Sequence, residues 1–353
     1  NATVPEPPSL SVQLPNGTHK TVAPHPVAND ADPVAEPRST FQQPSGSGPR
    51  FRLYEGGEAA LFVPGDLQGY RESFEAALAG GADIVHELAP QAYERHVDDD
   101  PPDDIEVLIA KLPSMAETIV AATEAMAAHD ASTLVVDLRD NPGGDSTFVF
   151  HLAYALRGDA GVTEMEGTTR TVKRRTDAHR DRYGADELGT AEDNPADYDM
   201  SGLLDDDGSE EVHERLRRSE TFTAVADRTD GSVYDPPQLV VVTSAGTMSS
   251  AFAGAALLSS FGADVVGVPS GQAPRSFGEA VAFELPTTGL ELSVAGAMFD
   301  WVPDPEADIL VPDRELTTSA FDRYDRAADA SLRLAFDHAG LTNGESPTPV
   351  EQD

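Results

Sequence analysis

Two short runs in this chain carry residue types that could do acyl-transfer chemistry. The first is Asp137-Leu138-Arg139-Asp140-Asn141-Pro142-Gly143-Gly144. Its paired glycines lack a Cβ, so backbone amides there can approach a ligand closely, as an oxyanion hole requires. The second is Val242-Thr243-Ser244-Ala245-Gly246-Thr247-Met248-Ser249-Ser250-Ala251-Phe252, an apolar strand ending that runs into an Ala-rich helical pattern. It places Ser249 at a helix start, where the helix dipole and free amides favour developing negative charge. A serine there could attack a carbonyl, and the next amide could hold the tetrahedral oxygen. Each run also has a plain explanation, since a serine opening a helix commonly acts as an N-cap and a Pro-Gly-Gly segment commonly makes a turn.

The elements that must position these runs follow from periodicity. Residues 1–50 are rich in Pro, Ser, Asn and Gly. Within them Leu10 to Leu14 and Thr18 to Val22 alternate around Pro15-Asn16-Gly17, a hairpin signal followed by a linker. Residues 51–104 read as an irregular α/β lead-in that ends in an acidic, Pro-containing break. From 105 to 345 the pattern is regular. A strand is expected at 105–112, and Ser114 with Glu117 forms a capping box for a helix reaching about His129. A strand at 134–138 leads through the glycine run into a helix at about 146–156. After a polar, acidic insertion at 158–235, read as short helices and a lid, come a strand at 239–242, a helix at 249–261 and a strand at 264–268. Strands at 281–285 and 290–294 and a helix near 327–337 close the chain. Alternating strands and helices imply an α/β fold with a mostly parallel sheet and right-handed crossovers.

Composition narrows the function. The formal net charge is -38, from 62 acidic against 24 basic residues, a surface that repels nucleic acid and anionic membranes. Lys20, Lys111 and Lys173 are the only lysines. Scattered carboxylates with so little lysine suggest adaptation to molar salt, which screens their repulsion within a few ångströms. With no cysteine, disulfides and thiolate chemistry are excluded. No apolar run reaches the ~18 residues of a membrane span, so a soluble protein is expected, either exported or cytoplasmic in a high-salt organism. The start at Asn1, without a methionine or a signal-peptide pattern, suggests a processed or trimmed chain.

Together and in this order, the two runs resemble the signatures of the tail-specific (C-terminal processing) serine peptidases, which include tricorn-core and retinoid-binding-protein-like members. The first run is similar to Asp-Leu-Arg-Asn-Asn-Pro-Gly-Gly, with Asp140 in place of Asn. The second is similar to the family's nucleophile segment, which puts Ser249 on the catalytic serine. Val266-Gly267, Pro312-Asp313 and the stretch from Arg323-Tyr324 to Leu334 resemble later family features, so the likeness covers roughly residues 105–338. It implies a layered ClpP/crotonase-like core, a peptide or protein substrate, no cofactor, and an oxyanion hole from Gly143 or Gly144 with Ser250. It also makes the N-terminal hairpin a candidate remnant of a PDZ-like module.

The chain departs from the family in three places. Phe252 stands where the nucleophile segment continues to glutamate. Gln272 is the nearest match to a catalytic lysine after the Val266-Gly267 strand, and an amide cannot accept the serine proton. Tricorn-like members carry a histidine on the strand before the first helix, and the corresponding position in this chain is Lys111. That lysine could act as general base if burial favoured its neutral form, or it could make a structural ion pair. A non-catalytic member that binds peptides or apolar ligands in the same cleft is the alternative, and an acyl-CoA enzyme of crotonase type a third reading. His86, His96 and His151 have no placement that suggests catalysis. No metal-ligand spacing or phosphate loop is present, and oligomeric state stays open.

Overall fold

A computed structural model describes residues 10–13, 18–22, 47–165, 170–173, 216–229, 234–301, 309–323 and 329–341. The chain separates into two units, residues 1–38 and 39–353. In the first, β1 (Leu10–Gln13) and β2 (His19–Val22) pair antiparallel with Leu10 opposite Val22. The Pro15-Asn16-Gly17 turn lies outside the described residues, as do most of the acidic insertion and its expected role as a lid.

The second unit is built on a six-stranded sheet. Its strands are β3 (Arg50–Tyr54), β4 (Ala59–Val63), β5 (Thr133–Asp137), β7 (Gln238–Thr243), β8 (Asp264–Gly267) and β11 (Arg314–Glu315). In space the order runs β11-β8-β7-β5-β4-β3, parallel throughout except for the β3–β4 hairpin. Three further strands, β6 (Arg170–Lys173), β9 (Arg275–Glu284) and β10 (Glu291–Asp300), form an antiparallel sheet with β9 at one edge among the described residues.

The central strands are apolar on both sides because helices cover both faces. Phe62, Leu134, Val136 and Val241 point into one core cluster. Alternate residues Leu61, Val135, Val240 and Val242 point into the other, as the two-residue side-chain period of a strand dictates. The first cluster is closed by α4 (Met115–His129), α5 (Phe148–Met165) and α7 (Ser250–Ser260), the second by α9 (Ala330–His338) through Leu332, Leu334 and Phe336. Each fully buried Leu, Val or Phe contributes roughly 1.5–3 kcal/mol.

Half of the expected capping box on α4 is present, the Glu117 carboxylate meeting Arg71 at 3.2 Å instead. Ser114 Oγ accepts from the Glu117 amide at 3.0 Å. A second carboxylate joins it, because Glu72 of α1 (Arg71–Ala79) accepts from the Ser114 hydroxyl and from the Met115 and Ala116 amides. Glu72 is 2% exposed, and its burial raises its carboxyl above the ordinary value even though these hydrogen bonds oppose the shift.

The strand expected at 105–112 is instead a helix, α3 (Ile105–Ala110), following α2 (Val85–His96). Leu108, Ile109 and Leu112 are buried while Glu106, Val107, Ala110 and Lys111 are exposed, which is a helical period. Asp104 starts the helix by accepting from the Glu106 and Val107 amides at 3.0 and 3.3 Å. A short apolar run fits strand or helix alike, and the aspartate before it was the deciding signal. The remaining helices are α6 (Glu220–Thr229) and α8 (Thr318–Arg323).

Candidate active site

The glycine loop and the nucleophile turn leave the C-terminal ends of the neighbouring parallel strands β5 and β7 and are clasped together. The Leu138 amide donates to Val242 O at 3.0 Å, and Thr247 Oγ1 donates to Leu138 O at 2.8 Å. Met248 N donates to Asn141 O at 2.9 Å, and Ser250 Oγ donates to Gly144 O at 2.6 Å. Ser244 bridges the base of both turns by accepting from Asp140 N and donating to Asp140 Oδ1, each at 3.0 Å.

Arg139 anchors this arrangement from below. Its guanidinium meets Asp137 at 2.7 and 2.8 Å and Asp329, the N-cap of α9, at 2.6 and 2.9 Å. Burial alone would lower its pKa, but the hydrogen bonds and charges of Asp137 and then Asp329 hold it above the ordinary value. The arginine of the first run is therefore a structural fork, and its reach to Asp329 had no signal in the local pattern. The late Pro312-Asp313 pair has a similar use, with Asp313 Oδ2 accepting from Val265 N at 2.8 Å at the start of β8.

Ser249 is not the plain N-cap that its position allowed. Its side chain makes no capping hydrogen bond to α7, and its backbone sits at φ 52, ψ -124. A non-glycine residue there costs about 1–3 kcal/mol and persists only where the surroundings impose it. They do so on two sides. Gly143, at φ 97, packs so closely that an added Cβ would lie 2.6 Å from Ser249 Cβ and 2.7 Å from Ser250 N. On the other side the Ser249 amide donates to Gln272 Oε1 at 2.6 Å. Gly144 is confined against a different neighbour, since a Cβ would fall 2.3 Å from the Leu67 carbonyl. Gln272 is held by its own amide donating to Ser270 Oγ at 2.9 Å, and Ser270 Oγ donates to Thr247 O at 2.6 Å.

The structure thus brings Ser249, Ser250, Gly143, Gly144 and Gln272 together. The Gly143 amide is already engaged, donating to Asn141 Oδ1 at 3.0 Å. Asn141 in turn donates to Gly65 O at 2.7 Å. Ser250 opens α7, so its amide has no acceptor within the helix, and among the described residues no hydrogen bond engages it.

Among the described residues no hydrogen bond or ion pair joins Lys111 to these groups. It closes α3 with an exposed side chain. With α3 helical, the strand preceding α4 in the sheet is β4, and its residues Ala59, Ala60, Leu61, Phe62 and Val63 carry no proton acceptor in their side chains. Among the described residues no titratable side chain is hydrogen-bonded to Ser249. His86 is exposed, and His151 is buried between Tyr70 and Phe222. His96 meets Ser47 Oγ at 2.8 Å, and burial lowers its pKa despite Asp66 nearby. Phe252 is wholly buried. Among the described residues no cluster of acidic or histidine side chains could hold a metal ion, and no helix is long and apolar enough to cross a membrane.

The model of peptidase family S41 matches residues 106–275, which takes in both clasped turns and the Gln272 loop. Over that stretch, just under half of its length, the chain resembles this family. Among solved structures it is similar to the photosystem II D1 C-terminal processing protease, with 15% identity, TM-score 0.33, and coverage of 65% of this chain and 44% of that one. It is also similar to mature CPAF, at 14% identity and TM-score 0.42, covering 94% and 66%. A third is a putative S41 protease from Bacteroides fragilis, at 11% identity and TM-score 0.40, covering 95% and 66%. A search of the curated proteins returns no match.

Proposed function

We propose that this chain is a serine peptidase that hydrolyses peptide bonds through a Ser249 acyl-enzyme, in the manner of tail-specific proteases. One observation carries it: Ser249 is held at φ 52 against Gly143, with its hydroxyl not spent on capping α7. The Ser249 Oγ–carbonyl bond forms, the carbonyl oxygen takes up charge beside the Ser250 and Gly144 amides, and the carbon–nitrogen bond breaks to release a protonated amine. Water then cleaves the ester. The hydroxyl proton passes to a general base not identified among the described residues, Lys111 being exposed at the end of α3. Substrates are peptides or proteins, and the core is the layered ClpP/crotonase type.

The test is hydrolysis of unstructured peptides by the native chain and by Ser249→Ala. Loss of all turnover in the variant supports the assignment, and equal turnover removes it. The acidic surface further supports a protein adapted to molar salt, for which a circular dichroism spectrum unchanged by desalting would be the contrary result.

A further inference from the structure

Strand β9 leaves the turn that holds Gln272, and one face of its sheet continues the Ser249 site. Gln272 spans the gap: Oε1 accepts from the Ser249 amide at 2.6 Å, and Nε2 donates to Ser276 Oγ at 3.2 Å. Ser276 lies opposite Phe299 in the antiparallel β9–β10 register, so their side chains share a face with Cβ atoms roughly 5 Å apart. Phe299 stacks on Trp301, with ring centroids at 5.0 Å and planes 11° apart. The Phe299 ring also lies over Gly278, where an added Cβ would fall 3.0 Å from it. Trp301 is pinned by its amide donating to Pro274 O at 3.2 Å. Both rings are only partly buried.

We propose that the Phe299–Trp301 pair, with Ser276 and Gly278 as its floor, is a substrate subsite that takes an aromatic or large apolar side chain of the peptide. The inference rests on the peptidase reading of Ser249. Bond by bond from Ser249 to Phe299, the path is short enough that the recognised residue lies within about four positions of the scissile bond. Stacked rings offer broad apolar contact with little ordering cost. A chain of net charge -38 disfavours an acidic residue at the same place.

Trp301 is the only tryptophan, so its fluorescence reports on the subsite directly. The probes are blocked hexapeptides without tryptophan, carrying a single Phe at successive positions, each paired with its Ala counterpart. The Phe peptides should shift Trp301 emission saturably and show a KM about three- to tenfold below the Ala peptides. Trp301→Ala should erase that difference and Trp301→Phe should restore most of it. Both variants should keep the native circular dichroism spectrum and melting transition, so that the loss reports on the subsite and not on folding. Equal KM for Phe and Ala peptides in the native chain, or silent emission, overturns the subsite. A saturable emission shift without any Ser249 labelling or cleavage would leave the subsite standing and sink the peptidase reading instead.

Discussion

The Ser249 amide and the Gln272 side-chain carbonyl meet at 2.6 Å, tying the candidate nucleophile to the loop that follows β8. Gln272 stands near the position at which the resembling family places a lysine, but here the side chain positions the serine backbone. Gln272→Ala should lower kcat about three- to tenfold with little change in KM, as expected for the loss of about 1 kcal/mol of positioning. Gln272→Glu should lower it further, most at low salt, because a carboxylate opposes charge developing on the substrate oxygen. Steady-state kinetics at two salt concentrations checks both, and an unchanged kcat in Gln272→Ala would show that the contact is idle.

Gly143 tests the other wall. Its φ of 97 and the 2.6 Å approach to Ser249 leave no room for a methyl group. Gly143→Ala should destabilise the fold by about 2 kcal/mol and cut turnover at least about a hundredfold, as measured by denaturant melts and peptide cleavage. Full activity in a folded Gly143→Ala protein would mean that the two turns are not packed as described.

The backbone of Ser249 stores strain that glycine would release. Removing about 1–3 kcal/mol of unfavourable conformation, less the 0.5–1 kcal/mol entropic cost of glycine, should make Ser249→Gly roughly 1 kcal/mol more stable than native while abolishing hydrolysis. A lower melting temperature than Ser249→Ala would contradict the strained geometry.

Lys111 gives the converse test. Because its side chain is exposed at the end of α3, Lys111→Arg should keep turnover within about twofold. A loss of a hundredfold or more, the usual worth of a general base, would return it to the mechanism.

Much of this architecture was legible from local chemistry. The strand-to-helix turns declared themselves through Gly143-Gly144 and the Ala-rich run after Ser249, and Ser114 with Glu117 announced α4. What escaped was non-local or ambiguous. The segment 105–112 is apolar enough for a strand, and only Asp104 and the burial of Leu108, Ile109 and Leu112 made it a helix. That difference leaves Lys111 exposed at the end of α3. The Arg139–Asp329 fork joins residues far apart in the chain, and the use of Asn141 Oδ1 by the Gly143 amide depends on the folded turn itself. The role of Gln272 was likewise hidden, since its type argued against proton transfer and gave no hint of a backbone acceptor.

The most direct measurement is mass-spectrometric mapping of the adduct formed by a fluorophosphonate probe on the folded protein at high salt. One covalent phosphonyl group is expected, on Ser249, formed faster than on any other hydroxyl and absent in Ser249→Ala. An unmodified Ser249, or labelling that persists at equal rate in Ser249→Ala, would contradict it.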